Sequence, residues 1–244
     1  MNRILFEKFE ISDGVAEFSG ARALHILNVL HGEQGQRLKT GELDGMIGSG
    51  TILSIEGGPE DPRVRVRVEH TEESLRPWVD LVLAPPRPRV MKRLLPQLAA
   101  MGVGRIFLVG ARKVEKAFWG ATLLREGEYR PLLVDGLMQG GTSIVPKIEV
   151  RRNFLKFVTE EVDSLFPGSV RIVAHPYADG AHRRDGFSGP GRLLLAIGPE
   201  GGWTDGEVEL LEAKGFRRYS LGKRILRTDT AAIALLAKLN KEDE

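Results

Sequence analysis

The sequence predicts an α/β protein in which a small β-rich module precedes a larger domain built on a mainly parallel sheet. Short strand patterns punctuated by glycine fill the chain up to about residue 70. From about residue 76, apolar strand segments alternate with segments of helical spacing, the pattern of a parallel sheet with crossover helices. The longest apolar runs, such as Leu193 to Ile197, fall far short of a membrane span. A length of 244 residues suits one large domain or two ordinary ones with a substantial core.

In the first module, Arg3 to Phe9, Val15 to Phe18 and Arg37 to Glu42 have strand composition. Ala21 to Leu30 fits a short helix with Ala23, Leu27 and Leu30 on one side. Gly45, Gly48 and Gly50 mark a turn region before a strand at Thr51 to Glu56. Gly57-Gly58-Pro59 and Glu60-Asp61-Pro62 form a strong break. Val64, Val66 and Val68 then alternate with Arg63, Arg65, Arg67 and Glu69, a period-two strand with one apolar and one solvated face. The composition shift near 70–78 divides the chain into domains 1–72 and 75–244.

In the second domain, Trp78 to Ala84 is an apolar strand stopped by Pro85-Pro86. Val90 to Met101 is a helix, Gly102 and Gly104 end it, and Arg105 to Val109 is a strand. A helical stretch follows near Ala117 to Leu137, with Pro131 as its point of breakage. Next come a strand at Ile148 to Val150, a helix around Phe154 to Leu165, and strands at Val170 to Ala174 and Leu193 to Ile197. A helix from Asp205 to Lys214, a strand at Arg217 to Ser220 and a last helix to about Leu239 complete the order.

Composition removes several chemistries. The chain has no cysteine, which excludes disulfides, thiolate metal sites and cysteine nucleophiles. Its five histidines (25, 31, 70, 175 and 182) lack ligand spacing, so no metal is expected. The N-terminal MNRILFEKFE has neither the apolar core nor the small-residue cleavage site of a signal peptide, and a cytoplasmic protein is expected. The net charge of +2 is unevenly divided: residues 1–74 carry 8 Lys+Arg against 13 Asp+Glu, and residues 75–244 carry 27 against 20. A basic major part favours a polyanionic partner.

Motif tests narrow the field further. Gly102-Val103-Gly104 precedes a strand and has Phe107 at the third glycine position, so it is no dinucleotide fingerprint. There is no GxxxxGK[ST] loop and no GxSxG elbow.

Two C-terminal segments carry the chemistry. In the first, the apolar strand Leu193 to Ile197 runs into Gly198-Pro199-Glu200-Gly201-Gly202-Trp203, and Thr204 and Glu207 have capping-box spacing for the next helix. The carboxyl end of a strand meeting a helix N-terminus is where open α/β sheets bind ligands, and glycines there admit close backbone approach. The second is Leu221-Gly222-Lys223-Arg224-Ile225-Leu226-Arg227, with Thr228 or Asp229 capping the final helix. Arg227 opposes the positive end of that helix, an unfavourable placement that points to an anionic partner.

These two segments closely resemble the C-terminal signatures of the RsmE family of ribosomal RNA methyltransferases, in the SPOUT superfamily. The signatures match at Ile197–Trp203 and Leu221–Ala231, in register and leading into a final helix. Arg3, and His25 ahead of Val29-Leu30, resemble the family's opening module. The chain departs from the pattern at Met138-Gln139-Gly140-Gly141-Thr142, at His31 and at Met101.

The resemblance implies a PUA-like β-barrel RNA-binding domain over 1–72 and a trefoil-knotted, dimerising SPOUT methyltransferase domain over 75–244. It implies S-adenosylmethionine as cofactor, 16S rRNA or the small ribosomal subunit as partner, and N3-methylation of a uridine near the 3′ end of that RNA. The cofactor is then expected on Ile197, Gly198, Pro199, Glu200, Gly201 and Gly202, and on Leu221, Gly222, Ile225, Leu226 and Thr228. Arg227 and Arg224 are candidates to stabilise the uridine anion, with Glu200 to accept a proton or orient an Arg. Arg3, Arg87, Arg89, Lys92 and Arg93 are the expected RNA contacts. The final helix, with Ala231, Leu235 and Leu239, is expected near a homodimer interface. The alternatives are methylation of another base or a ribose 2′-OH, and a non-catalytic RNA-binding or ribosome-assembly protein that keeps the fold.

Overall fold

A computed structural model describes residues 3–176 and 191–240; His182 of the sequence analysis lies outside them. The chain divides into two compact units, one of residues up to Arg76 with Val134–Val145, the other of Pro77–Leu133 with the described residues from Pro146 onward.

The first unit is a six-stranded sheet in the order β1-β4-β5-β6-β3-β2, comprising β1 (Ile4–Phe6), β2 (Ile11–Ser12), β3 (Val15–Phe18), β4 (Arg37–Glu42), β5 (Ile47–Glu56) and β6 (Arg63–Glu72). β1 pairs with β4 in parallel and the other pairs are antiparallel. The alternation in β6 is realised: Val64 and Val66 are fully buried, and Arg63, Arg65 and Arg67 face solvent. Helix α1 (Gly20–Asn28) lays Ala23 and Ile26 on the core formed with Phe6, Phe18 and Ile52. One expectation is corrected. Gly48 and Gly50 lie inside β5 instead of marking a turn. A Cβ at Gly48 would stand 2.1 Å from the Glu69 carbonyl oxygen, beside a register shift in the β5–β6 ladder, so close strand approach explains the glycine.

The second unit holds an all-parallel sheet in the order β12-β10-β11-β7-β8-β9. Its strands are β7 (Val79–Leu83), β8 (Val103–Val109), β9 (Lys147–Arg151), β10 (Val170–Ala174), β11 (Leu193–Ile197) and β12 (Arg217–Tyr219). All five residues of β7 and of β11 are buried, as expected for central strands covered on both faces. The helices are α2 (Pro88–Ala100), α3 (Glu126–Gly140, of which the part from Val134 belongs to the first unit), α4 (Phe154–Lys156), α5 (Val162–Leu165), α6 (Asp205–Ala213) and α7 (Thr228–Leu239). A π-turn, Phe157–Glu161, joins α4 to α5. Met91, Leu94, Leu95 and Leu98 form the buried face of α2.

One further expectation is corrected. The stretch 117–137 is not one helix broken at Pro131. It starts as 3₁₀ turns at Lys116–Gly120 and Thr122–Leu124, and α3 then runs through Pro131. Pro131 sits in the second turn, where it removes one backbone bond without ending the helix. The apolar face of α7 packs into the unit, with Leu235 and Leu239 1% and 8% exposed and Ala231 partly exposed.

At the amino-terminal edge of the sheet, Asp80 of β7 is 1% exposed and held by two guanidiniums. Arg105 Nη2 donates to its carboxylate at 2.8 Å and Arg192 contacts the other oxygen. The Arg105 guanidinium also lies over the Phe166 ring, 4.5 Å from its centre. Burial pushes the Arg192 pKa down, and Asp80 pulls it back up.

Candidate active site

The opposite, carboxyl edge of the sheet carries the two C-terminal segments. β11 delivers Gly198 to Trp203, and α6 begins at once behind Thr204. The expected capping box is present: Thr204 N–H donates to Glu207 Oε2 at 2.8 Å and Glu207 N–H to Thr204 Oγ1 at 3.4 Å. Of the loop's glycines only Gly202 has a positive φ, of 70°. Gly198 answers to crowding instead, because a Cβ there would lie 3.1 Å from the Trp203 ring. The Trp203 indole N–H is buried without a partner among the described residues.

The second segment leaves β12, turns at Gly222 with φ of 120°, and enters α7. Arg227 itself occupies the N-cap, one residue earlier than expected, and Thr228 opens the helix. Thr228 Oγ1 reaches back to the first loop and donates to the Gly198 carbonyl at 3.2 Å. Loops from β11 and β12 are thereby joined at one place.

Beside that junction is a cavity of about 640 Å³. Its walls combine Glu200, Ile225, Leu226, Arg227, Thr228 and Asp229 with Arg87, Arg89, Val90 and Arg93 from the start of α2. Four arginines thus face two carboxylates. Asp229 is engaged, with Arg93 Nη2 at 3.5 Å and the Thr230 N–H at 3.0 Å. Arg227 has no carboxylate partner among the described residues, and its guanidinium stands at the positive end of α7. A smaller cavity of about 190 Å³ adjoins it, sharing Arg87 and Glu200 and adding Pro199, Gly201, Lys113 and Glu115. There Arg87 Nε donates to Glu115 Oε1 at 3.0 Å and lies 3.8 Å from Glu200 Oε2. The Glu115 hydrogen bond raises the Arg87 pKa first of all, with Glu200 adding to it. Lys113 Nζ donates to the Gly201 carbonyl at 2.8 Å.

The expected residues divide accordingly. Arg87, Arg89, Arg93, Glu200 and Arg227 share one cavity, together with Ile225, Leu226 and Thr228. Lys92 is exposed on α2, and Arg224, Leu221 and Gly222 lie in the second loop; none of these four lines either cavity. Ile197 is buried as the last residue of β11. Arg3 is 8% exposed in the first unit, and its guanidinium donates to the carbonyls of Thr40, Gly48 and Gly141 at 2.6, 3.0 and 3.0 Å. These bonds engage Nε and Nη1 with backbone carbonyls and leave little of the side chain at the surface. Met138 to Thr142 belongs to that same unit, where the Met138 carbonyl accepts from the Arg3 N–H at 3.0 Å. Lys113 and Glu115 escaped the sequence reading. Their signal was position alone, directly after β8 at the carboxyl edge of a parallel sheet.

Residues 72–240 match the family model of an RNA methyltransferase domain. Over 97% of this chain and 90% of its own length, ribosomal RNA small subunit methyltransferase E of Treponema pallidum is 32% identical. The chain belongs to the RsmE family. A second RsmE relative, from Borreliella burgdorferi, is 24% identical over 96% of this chain and 95% of its own. Among solved structures, a Legionella pneumophila protein in complex with the bound cofactor SAM aligns with a TM-score of 0.75 and 26% identity, covering 97% of this chain and 96% of that one. The RsmE protein of Neisseria gonorrhoeae, solved bound to S-adenosyl methionine, shares the fold with a TM-score of 0.73 at 20% identity, covering 98% and 96%. This RsmE chain therefore carries its family signatures at the one edge of the sheet where both glycine loops and four arginines meet.

Proposed function

We propose that the protein transfers a methyl group from S-adenosylmethionine to N3 of a uridine near the 3′ end of 16S rRNA. The observation that carries this is the shared cavity: Arg227 and Glu200, next to both glycine loops, open onto the same space as Arg87, Arg89 and Arg93. The loops suit an adenosine and an amino acid. Positive φ at Gly202 and Gly222 turns backbone polar groups at strand ends, and among the described residues beyond its chain neighbours nothing lies within 4 Å of where a Cβ at Gly222 would stand. The cofactor supplies an electrophilic methyl on a sulfonium.

The rest falls to the chain. Thr228 and Lys113 hold the Gly198 and Gly201 carbonyls and so fix the first loop. Uridine N3 must lose its proton before it can attack, and Glu200, whose only ion-pair contact among the described residues is the 3.8 Å approach of Arg87, is the carboxylate we assign to accept it. Arg227, reinforced by the positive end of α7, stabilises the uridine anion. Arg89, Lys92 and Arg93, exposed at the start of α2, neutralise flanking phosphates.

Three architectural expectations belong to the same proposal. The first unit is a PUA-like RNA-binding domain, the second a knotted SPOUT domain, and the active form a homodimer. Ile225, 73% exposed, and Leu221 and Leu226, each 37% exposed, are the apolar surface that a partner would cover beside the start of α7.

The test is direct. Unmethylated 16S transcript and small subunits are incubated with the protein and S-adenosylmethionine, and the nucleosides are resolved by mass spectrometry. 3-Methyluridine at one position is expected. A 2′-O-methylated nucleoside, another methylated base, or failure to bind the cofactor would overturn the proposal.

A further inference from the structure

We propose that the second unit carries an RNA-docking face beside the active site, with Arg152 stacked on Trp119 as the platform for a nucleobase flanking the target. This rests on the proposed rRNA substrate and adds the path that the RNA follows.

The face lies at the carboxyl ends of β8 and β9. Phe118, 2% exposed, anchors the turn Lys116–Gly120 in the core, and its ring meets Trp119 edge-on at 5.5 Å. The Arg152 guanidinium lies over the Trp119 ring, 5.6 Å from its centre, and Arg152 Nη2 donates to the Trp119 carbonyl at 3.2 Å. Gly110 lets the end of β8 abut this residue, since a Cβ there would stand 2.0 Å from the Arg152 carbonyl oxygen. Ring and carbonyl thus hold the guanidinium, and the end of β8 packs on the Arg152 backbone, while the residue stays exposed.

A cavity of about 640 Å³ opens beside the pair, with Arg112, Arg152, Asn153, Leu155 and Glu207 in its walls. Among the described residues neither Arg112 nor Arg152 has a carboxylate at ion-pair distance. Glu207, the acid of the cavity, is already satisfied. Its Oε1 accepts from the Arg112 backbone N–H at 2.7 Å, and its Oε2 accepts from the Thr204 N–H and hydroxyl at 2.8 and 2.9 Å. Two guanidiniums against one carboxylate whose oxygens are already hydrogen-bonded leave the walls with net positive charge, and Leu155, 61% exposed, adds an apolar contact.

A planar cation on an aromatic ring, a second free guanidinium and one apolar side chain fit unstacked bases and phosphates. A protein partner would call for an apolar centre depleted of charge, which this face lacks. Its position also suits RNA leaving the active site. Arg112 precedes Lys113, which holds Gly201 in the neighbouring cavity, and Thr204 follows Gly201 by three residues.

The experiment uses the full chain, an unmethylated 16S transcript and assembled small subunits. Arg152→Ala and the pair Arg112→Glu with Arg152→Glu are compared with the wild type. The KM for transcript should rise tenfold or more, and the double charge reversal should lower the slope of log affinity against log salt by about two. The kcat at saturating RNA and the calorimetric affinity for S-adenosylmethionine should not move. Transcript should quench wild-type tryptophan fluorescence, and Trp119→Phe should remove that quenching. Wild-type KM and salt slope in the variants would overturn the docking face. A defect on assembled subunits but not on naked transcript would also overturn it, and would assign the face to a ribosomal protein. A wild type that binds transcript through these residues yet transfers no methyl group would sink the proposed activity and leave the face standing.

Discussion

Thr228 Oγ1 and the Gly198 carbonyl, 3.2 Å apart, join the loops after β12 and β11, although 30 residues of chain separate them. Removing that donor tests the cofactor loops with little disturbance of the core. Thr228→Val keeps the shape of the buried side chain and leaves the carbonyl unpaired. The loss of one such hydrogen bond, about 1–1.5 kcal/mol, predicts roughly tenfold weaker S-adenosylmethionine binding by calorimetry, with a melting temperature close to wild type. Unchanged affinity would show that the two loops do not act together on the cofactor.

Arg227 offers a different kinetic signature. Its cation is needed only once the uridine anion develops, so Arg227→Ala should lower kcat on the order of 10²–10³-fold with little change in cofactor affinity. A defect confined to cofactor binding would reassign Arg227 to the loop and make Glu200 the leading catalytic group.

Arg89→Glu with Lys92→Glu should instead raise the KM for RNA and flatten its salt dependence, because phosphate contacts are lost. Turnover at saturating RNA is expected to stay near wild type. A fall in kcat alone would mean that the start of α2 serves chemistry and not docking.

Asp80 is a stability test far from this chemistry. Asp80→Ala strands Arg105 and Arg192 against each other at the amino edge of the sheet. Breaking a buried pair costs about 3–5 kcal/mol, and solvent at Arg192, 41% exposed, reduces this to about 2–4 kcal/mol. Urea unfolding measures the loss; a midpoint within error of wild type would show that the cluster contributes nothing.

His70 gives the first unit a pH dependence. Its ring stacks on Phe6 at 5.3 Å and its Nε2 lies 3.2 Å from Thr40 Oγ1. Burial pushes its pKa down; Glu42 opposes that and Arg3 assists it. The unfolded chain takes up the proton near pH 6.5, before the folded chain does. The stability is therefore fully present above about pH 6.5 and is lost as pH falls through the lower folded value. His70→Gln keeps a polar partner for Thr40 and cannot titrate, so its urea midpoint should fall less between pH 7.5 and pH 5.5. Parallel curves for the two proteins would refute the assignment.

Much of this was legible in the sequence because local pattern and tertiary role agreed. The alternation in β6 and the capping box of Thr204 and Glu207 each emerged where the residues indicated. The rest shares a cause. Gly48 was read from residue type, whereas its role depends on the Glu69 backbone, and the burial of Arg3 against distant carbonyls and of Leu235 in the interior of the unit is equally invisible in local pattern. Lys113 and Glu115 were silent for the same reason, since only the folded sheet brings them to the Pro199–Gly201 turn.

The clamp at Arg3 bears on how the protein is made. Arg3 Nε is satisfied by Gly141, 138 positions downstream, and Val134–Val145 completes the first unit. During translation the amino-terminal sheet is synthesised early, yet its buried guanidinium stays unfinished until the chain has emerged past residue 145. Maturation of the first unit thus waits on most of β7 to α3, and a nascent chain stalled before that point would expose an uncapped cation and a half-closed core to chaperones.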